Sequence, residues 1–132
     1  MAKVALFIFI TAVVAISFAL DCSDVIRKEQ EGVLSWLGNI TFNAPVSTGP
    51  SGWTLTLFFD RNFTGVGVWD GFVSFNRDER WAEITNRNST DAVIEAGEKK
   101  SLRFRVNFDG ERPNPDVPEV ISLRFQDIEL CN

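Results

Sequence analysis

Trp53-Thr-Leu-Thr-Leu-Phe-Phe-Asp-Arg-Asn-Phe-Thr-Gly-Val-Gly-Val-Trp69 decides how this chain is read. In an extended backbone Trp53, Leu55, Leu57 and Phe59 fall on one side, and Thr54, Thr56 and Phe58 on the other. That period of two belongs to a strand, not to a helix. The Trp53 side is assigned to a core. The run then passes through a glycine-rich turn to Trp69, beside the polar pair Asp70-Gly71. An indole left open on a stiff sheet offers an apolar face against which the apolar face of a sugar ring can rest, so Trp69 is the first candidate for ligand contact.

Working outward, Leu102, Phe104, Val106 and Phe108 alternate against Arg103, Arg105 and Asn107, which predicts a second half-buried strand with a wet arginine side. Ile121, Leu123 and Phe125 alternate in the same way. Ile128 and Leu130 then resume on the opposite parity, which predicts one strand with a bulge near Gln126 or Asp127. Further strands are expected in 33–42, 72–75 and 81–85, with turns at 45–52 and 107–118. A single short helix is expected around 24–30. Short alternating strands punctuated by Gly, Pro and Asn, with almost no helix, define an all-β, antiparallel two-sheet β-sandwich of immunoglobulin-like or jelly-roll-like kind.

Residues 1–19 have the layout of a signal peptide, with Lys3, an apolar run from Val4 to Val14, and the small residues Ser17 and Ala19. The chain is expected to be secreted, with residues 20–132 forming one domain and no membrane anchor. Cys22 and Cys131 stand at the two ends of that domain. In an oxidising export route they are expected to pair, and closing so long a loop is worth about 4–5 kcal/mol in the chain-entropy model. Asn39, Asn62 and Asn88 each open an N-glycosylation sequon.

From residue 20 onward, twelve basic side chains face eighteen acidic ones, a balance that repels a phosphate backbone and excludes nucleic acid as the expected partner. There is no histidine and, with both cysteines paired, no free thiolate, so neither a zinc site nor another metal or cofactor is implied. Asp60, Asp70, Asp78 and Glu79 are available carboxylates, but without a catalytic motif they are read as solvating charge, and the chain is expected not to be an enzyme.

Several ordered segments resemble family 2 carbohydrate-binding modules. They are the terminal cysteines, Gly38-Asn39-Ile-Thr-Phe42, Ser51-Gly-Trp53-Thr-Leu55, Trp69-Asp-Gly71, Ile84-Thr-Asn86, Ile94-Glu-Ala-Gly97, Leu102-Arg-Phe104, Asn114-Pro115 and Ser122-Leu123. As a separate secreted chain, the sequence looks like the cellulose-binding proteins of plant-parasitic nematodes. The resemblance implies a non-catalytic binder of cellulose or a related β-linked polysaccharide, gripping it through three coplanar surface tryptophans; the chain, which shows no linker-like tether, is expected to act alone as a monomer. Trp69 falls at the middle binding position and Trp53 at the buried core tryptophan. Trp36 and Trp81 are the candidates for the other two positions, because Ser89-Thr90-Asp91 stands where the family has its third. A neutral polymer would bind without salt dependence. The competing expectation is a secreted sandwich whose exposed aromatics meet a protein partner in a cell wall or extracellular matrix.

Overall fold

The computed structural model describes residues 20–110 and 116–132; the leader assigned to 1–19 and the Asn114-Pro115 pair lie outside them. Within the described residues the order is α1 (Cys22–Val25), β1 (Ile26–Glu31), β2 (Ser35–Asn43), β3 (Thr54–Phe59), β4 (Gly65–Val68), β5 (Phe72–Asn76) and β6 (Trp81–Thr85). A 3-10 turn (Ser89–Asp91) then leads to β7 (Lys99–Asn107), β8 (Val120–Phe125) and β9 (Ile128–Cys131). The strands form two antiparallel sheets, β1-β2-β7-β4 and β5-β6-β3-β8-β9. The chain is the two-sheet sandwich that the alternation predicts.

The central strands show why. Leu55 and Leu57 of β3 sit opposite Ile84 and Ala82 of β6 and Phe125 and Leu123 of β8, and all six are buried. In the other sheet Phe104 and Val106 of β7 sit opposite Gly38 and Trp36 of β2 and Val68 and Val66 of β4. Each large side chain removed from water in this way contributes about 1.5–3 kcal/mol. The alternate residues, Arg103, Arg105 and Asn107, face solvent as their parity requires. Cys22 and Cys131 form a disulfide across 109 residues, and Asn132 N donates to Leu20 O beside it, so both ends of the domain are tied at one place.

Four local expectations are corrected. The helix stops at Val25, and residues 26–31, assigned in part to helix, form edge strand β1, because Ile26 faces inward against the core opposite Ile40. The run 65–68, expected as a turn, is edge strand β4 paired with β7; its glycines are tolerated there because the partner strand supplies the ladder. The C-terminal strand is not continuous. Gln126 and Asp127 both have positive φ (52° and 63°) and close a tight hairpin between β8 and β9, in place of a bulge. Register shifts lie elsewhere: Phe58 pairs with Ser122 and Phe59 with Val120, so Ile121 has no opposite residue on β3 and is turned out, 51% exposed, and Leu123 pairs with Cys131 and Arg124 with Glu129, so Leu130 has none on β8.

One turn demands glycine. Gly52 has φ 97°, and a Cβ there would stand 2.0 Å from Asn86 Oδ1, the atom that accepts Trp53 N. The approach of these two loops seats Trp53 at the end of the core, 2% exposed, with its Nε1 donating to Asp91 O at 2.8 Å.

Candidate functional site

The four tryptophans separate into two that face solvent and two that do not. Trp36, read from sequence as a surface contact, is buried at 2% exposure, which corrects that reading. Its parity on β2 is that of Ile40 and Phe42, its ring meets Phe104 edge-on at 5.2 Å, and its Nε1 donates to Pro118 O at 2.9 Å. A ring with one edge hydrogen-bonded and its face packed has nothing left to offer a ligand. Trp53 is the second buried indole, as expected.

Trp69 follows β4 and continues its ladder, with Trp69 N donating to Arg103 O at 3.3 Å. Val68, opposite Phe104, points inward, so Trp69 points outward, and it is 46% exposed. Two guanidiniums of β7 flank it, with Arg103 Cζ 6.0 Å and Arg105 Cζ 5.8 Å from its ring centre. Beside it on β4, Gly67 lies opposite Arg105, and a Cβ there would meet nothing within 4 Å. Glycine at that position is thus not demanded by packing. It leaves a bare strip of backbone along the open edge of the sheet, next to the indole.

Trp81 also faces outward, but from the other sheet. On β6 it alternates with buried Ala82 and Ile84, it lies opposite Phe58 of β3, and its Nε1 donates to Glu79 Oε2 at 2.8 Å. Arg124 of β8 places its Cζ 5.3 Å from the Phe58 ring, and Phe72 of β5 is 63% exposed on the same sheet. The hydrophobic core separates this patch from Trp69. The expected common platform of Trp36, Trp69 and Trp81 is therefore not formed: one ring is internal, and the other two lie on opposite faces of the sandwich.

The sequons are spread over three places. Asn39 lies on the outer face of the Trp69 sheet, opposite both Arg103 and Arg27, and accepts from Thr41 Oγ1. Asn62 accepts from Arg80 Nε at 3.2 Å at the rim of an open polar cleft of about 940 Å³. Asn88 caps the 3-10 turn, accepting from Thr90 N and Asp91 N and from the Thr90 hydroxyl. The segment Ser89-Thr90-Asp91 is thus a capped turn over the Trp53 ring edge. Among the described residues no group of three His, Cys, Asp or Glu is placed to hold a metal ion. Asp60 is engaged structurally, its Oδ1 accepting from Glu119 N. The sequence marked Arg103 and Arg105 as a wet face; what it did not show is that β4 pairs with β7 and so brings both to Trp69.

What the geometry defines is an antiparallel β-sandwich with a half-exposed indole held between two arginines on one sheet. No protein-family model and no curated protein matches the chain. Among solved structures it is similar to chitinase ChiA74 from Bacillus thuringiensis, at 17% identity and a TM-score of 0.54, over 76% of this chain and 14% of that one. It is also similar to the chitin-binding domain of Chi18aC from Streptomyces coelicolor, at 18% identity and a TM-score of 0.48, over 75% and 86% of the two chains. A third similar structure is a GH20 exo-β-N-acetylglucosaminidase from Vibrio harveyi, at 16% identity and a TM-score of 0.46, over 66% and 13%. The first of these superposes closely enough to show a shared fold, and this chain spans about one seventh of that chitinase.

Proposed function

We propose that this chain is a secreted, non-catalytic polysaccharide-binding module that holds a β-linked polymer such as cellulose through Trp69. The observation that supports this reading most directly is the half-exposed Trp69 ring standing on a stiff sheet beside the bare Gly67 strip. An indole packed on one side and open on the other is suited to a sugar face, and the glycine strip lets the rest of the ring approach the backbone. The fold shared with part of a chitinase puts chitin beside cellulose among the polymers to test. With one indole in place of three, binding of the polymer is expected to be no tighter than about 1 mM, or roughly 4 kcal/mol, of which the indole supplies a part.

The test is retention on microcrystalline cellulose, chitin and insoluble xylan. Retention of the wild-type protein that falls in Trp69→Ala supports the reading, whereas wild-type protein left in the supernatant with all three polymers refutes it. A second reading, docking of a protein partner, is favoured by the other sheet, where Trp81 sits opposite Phe58 and Phe72, opposite Thr85, is 63% exposed further along the same outer face. Aromatic side chains of this kind are frequent anchors of protein interfaces.

A further inference from the structure

The outer face that holds Trp69 has a charge opposite to that of the chain. From residue 20 onward acidic side chains outnumber basic ones by eighteen to twelve. On this face the ladder sets Arg27 of β1 opposite Asn39 of β2, Asn39 opposite Arg103 of β7, and Arg103 opposite Trp69. One row across four strands thus reads Arg27, Asn39, Arg103, Trp69, all pointing the same way, and spans about 14 Å at ordinary strand spacing. Arg105 flanks the same indole one pair further along β7. Among the described residues one carboxylate reaches the row: Glu29 Oε2 lies 3.0 Å from Arg103 Nε. Arg105 forms no salt bridge with any described residue.

A neutral glucan can accept hydrogen bonds from these guanidiniums but offers no charge to pair with them. A guanidinium presents paired N–H donors in a planar fork that matches a carboxylate, and a polymer lying on Trp69 would bring its ring substituents within reach of Arg103 and Arg105. Resting on the proposal that Trp69 is the polysaccharide contact, we infer that the preferred polymer carries carboxylate groups: the indole takes a sugar ring, and Arg103, Arg105 and Arg27 take uronate-type substituents along the same chain. The site then selects by charge as well as by ring shape, and its binding is salt-dependent, against the expectation for a neutral polymer.

Carboxymethylcellulose and hydroxyethylcellulose share one backbone and differ in charge, so affinity electrophoresis or calorimetry on the two, with the intact secreted chain, separates the two claims. The expected result is tighter binding to carboxymethylcellulose, weakened at least about tenfold between about 20 mM and about 500 mM salt. Arg105→Gln and Arg103→Gln are each expected to weaken it about two- to fivefold, while Arg124→Gln, the same charge change on the opposite sheet, leaves it unaltered. All three positions are exposed, and an unchanged melting temperature confirms the fold. Equal or tighter binding of hydroxyethylcellulose, lost in Trp69→Ala, overturns the carboxylate inference and keeps the polysaccharide reading. Failure to bind either polymer overturns the carboxylate inference, and the polysaccharide reading falls with it only when cellulose, chitin and xylan also leave the protein in the supernatant. Binding of poly-L-glutamate as tight as that of carboxymethylcellulose, or indifference of carboxymethylcellulose binding to Trp69→Ala, shows general attraction of acidic polymers, an acidic protein included, and also overturns the inference.

Discussion

Replacing Trp69 with Ala removes the one outward indole of the four-stranded sheet, and the size of the effect follows from its exposure. A tryptophan side chain presents roughly 150–250 Å² of surface. At 46% exposure, roughly 70–115 Å² is open to a ligand. Covering half to all of that area at about 25 cal/mol per Å² contributes about 1–3 kcal/mol, so the variant is expected to bind roughly 5- to 150-fold more weakly. The other half of the ring packs near the Arg103 and Arg105 side chains. Losing it costs about 2–3 kcal/mol of stability, within what a domain of this size holds in reserve. Depletion isotherms on the best-bound polymer, with urea unfolding of the same preparation, measure both quantities. Unchanged retention would show that the ligand sits elsewhere. Loss of binding together with loss of a cooperative unfolding transition would show that the ring is structural, and either outcome refutes the reasoning.

The remaining predictions concern the frame that holds the site. Trp53→Ala is expected to lower stability by about 3–5 kcal/mol in urea titration, since it empties a buried site and strips Asp91 O of its donor. Trp36→Ala should cost a similar amount, about 3–5 kcal/mol, and polymer affinity measured well below its unfolding midpoint should stay at the wild-type value; a selective loss of affinity would restore Trp36 to the site. Cys22→Ser with Cys131→Ser opens a closure of 109 residues and is expected to lower stability by about 4–5 kcal/mol, read as a fall in the urea midpoint relative to the oxidised protein. Asp21 caps α1, and the hydrogen bonds from Ser23 N and then Ser23 Oγ hold its carboxyl below the usual carboxylate range. A depressed folded-state pKa stabilises above the unfolded value and is lost as pH falls through the folded one. An NMR titration should therefore place the Asp21 midpoint below that of an ordinary aspartate, and Ser23→Ala, which removes the hydroxyl, should move it part of the way back.

Strand parity is a property of the chain alone, because successive side chains of an extended backbone point to opposite faces whatever the partner strand may be. That is why the sequence determined the two-sheet sandwich, the core set from Trp53 to Phe59 and the alternation of 101–109; the pairing of the two cysteines followed separately, from there being two of them at the ends of a domain expected in an oxidising compartment. The sequence also marked Trp69 as exposed and Trp53 as buried. Parity does not say which of two sheets a strand joins, nor whether its apolar side is the inner one when the residues are mixed. The tertiary structure decided both. Trp36 proved internal because β2 turns it toward Phe104 and Pro118. Trp81 was separated from Trp69 because β6 and β4 belong to different layers. The pairing of β4 with β7 set Arg103 and Arg105 against Trp69 across more than thirty residues of sequence. Coplanarity and neighbourhood are relations between strands brought together only by folding; a single strand's pattern contains neither.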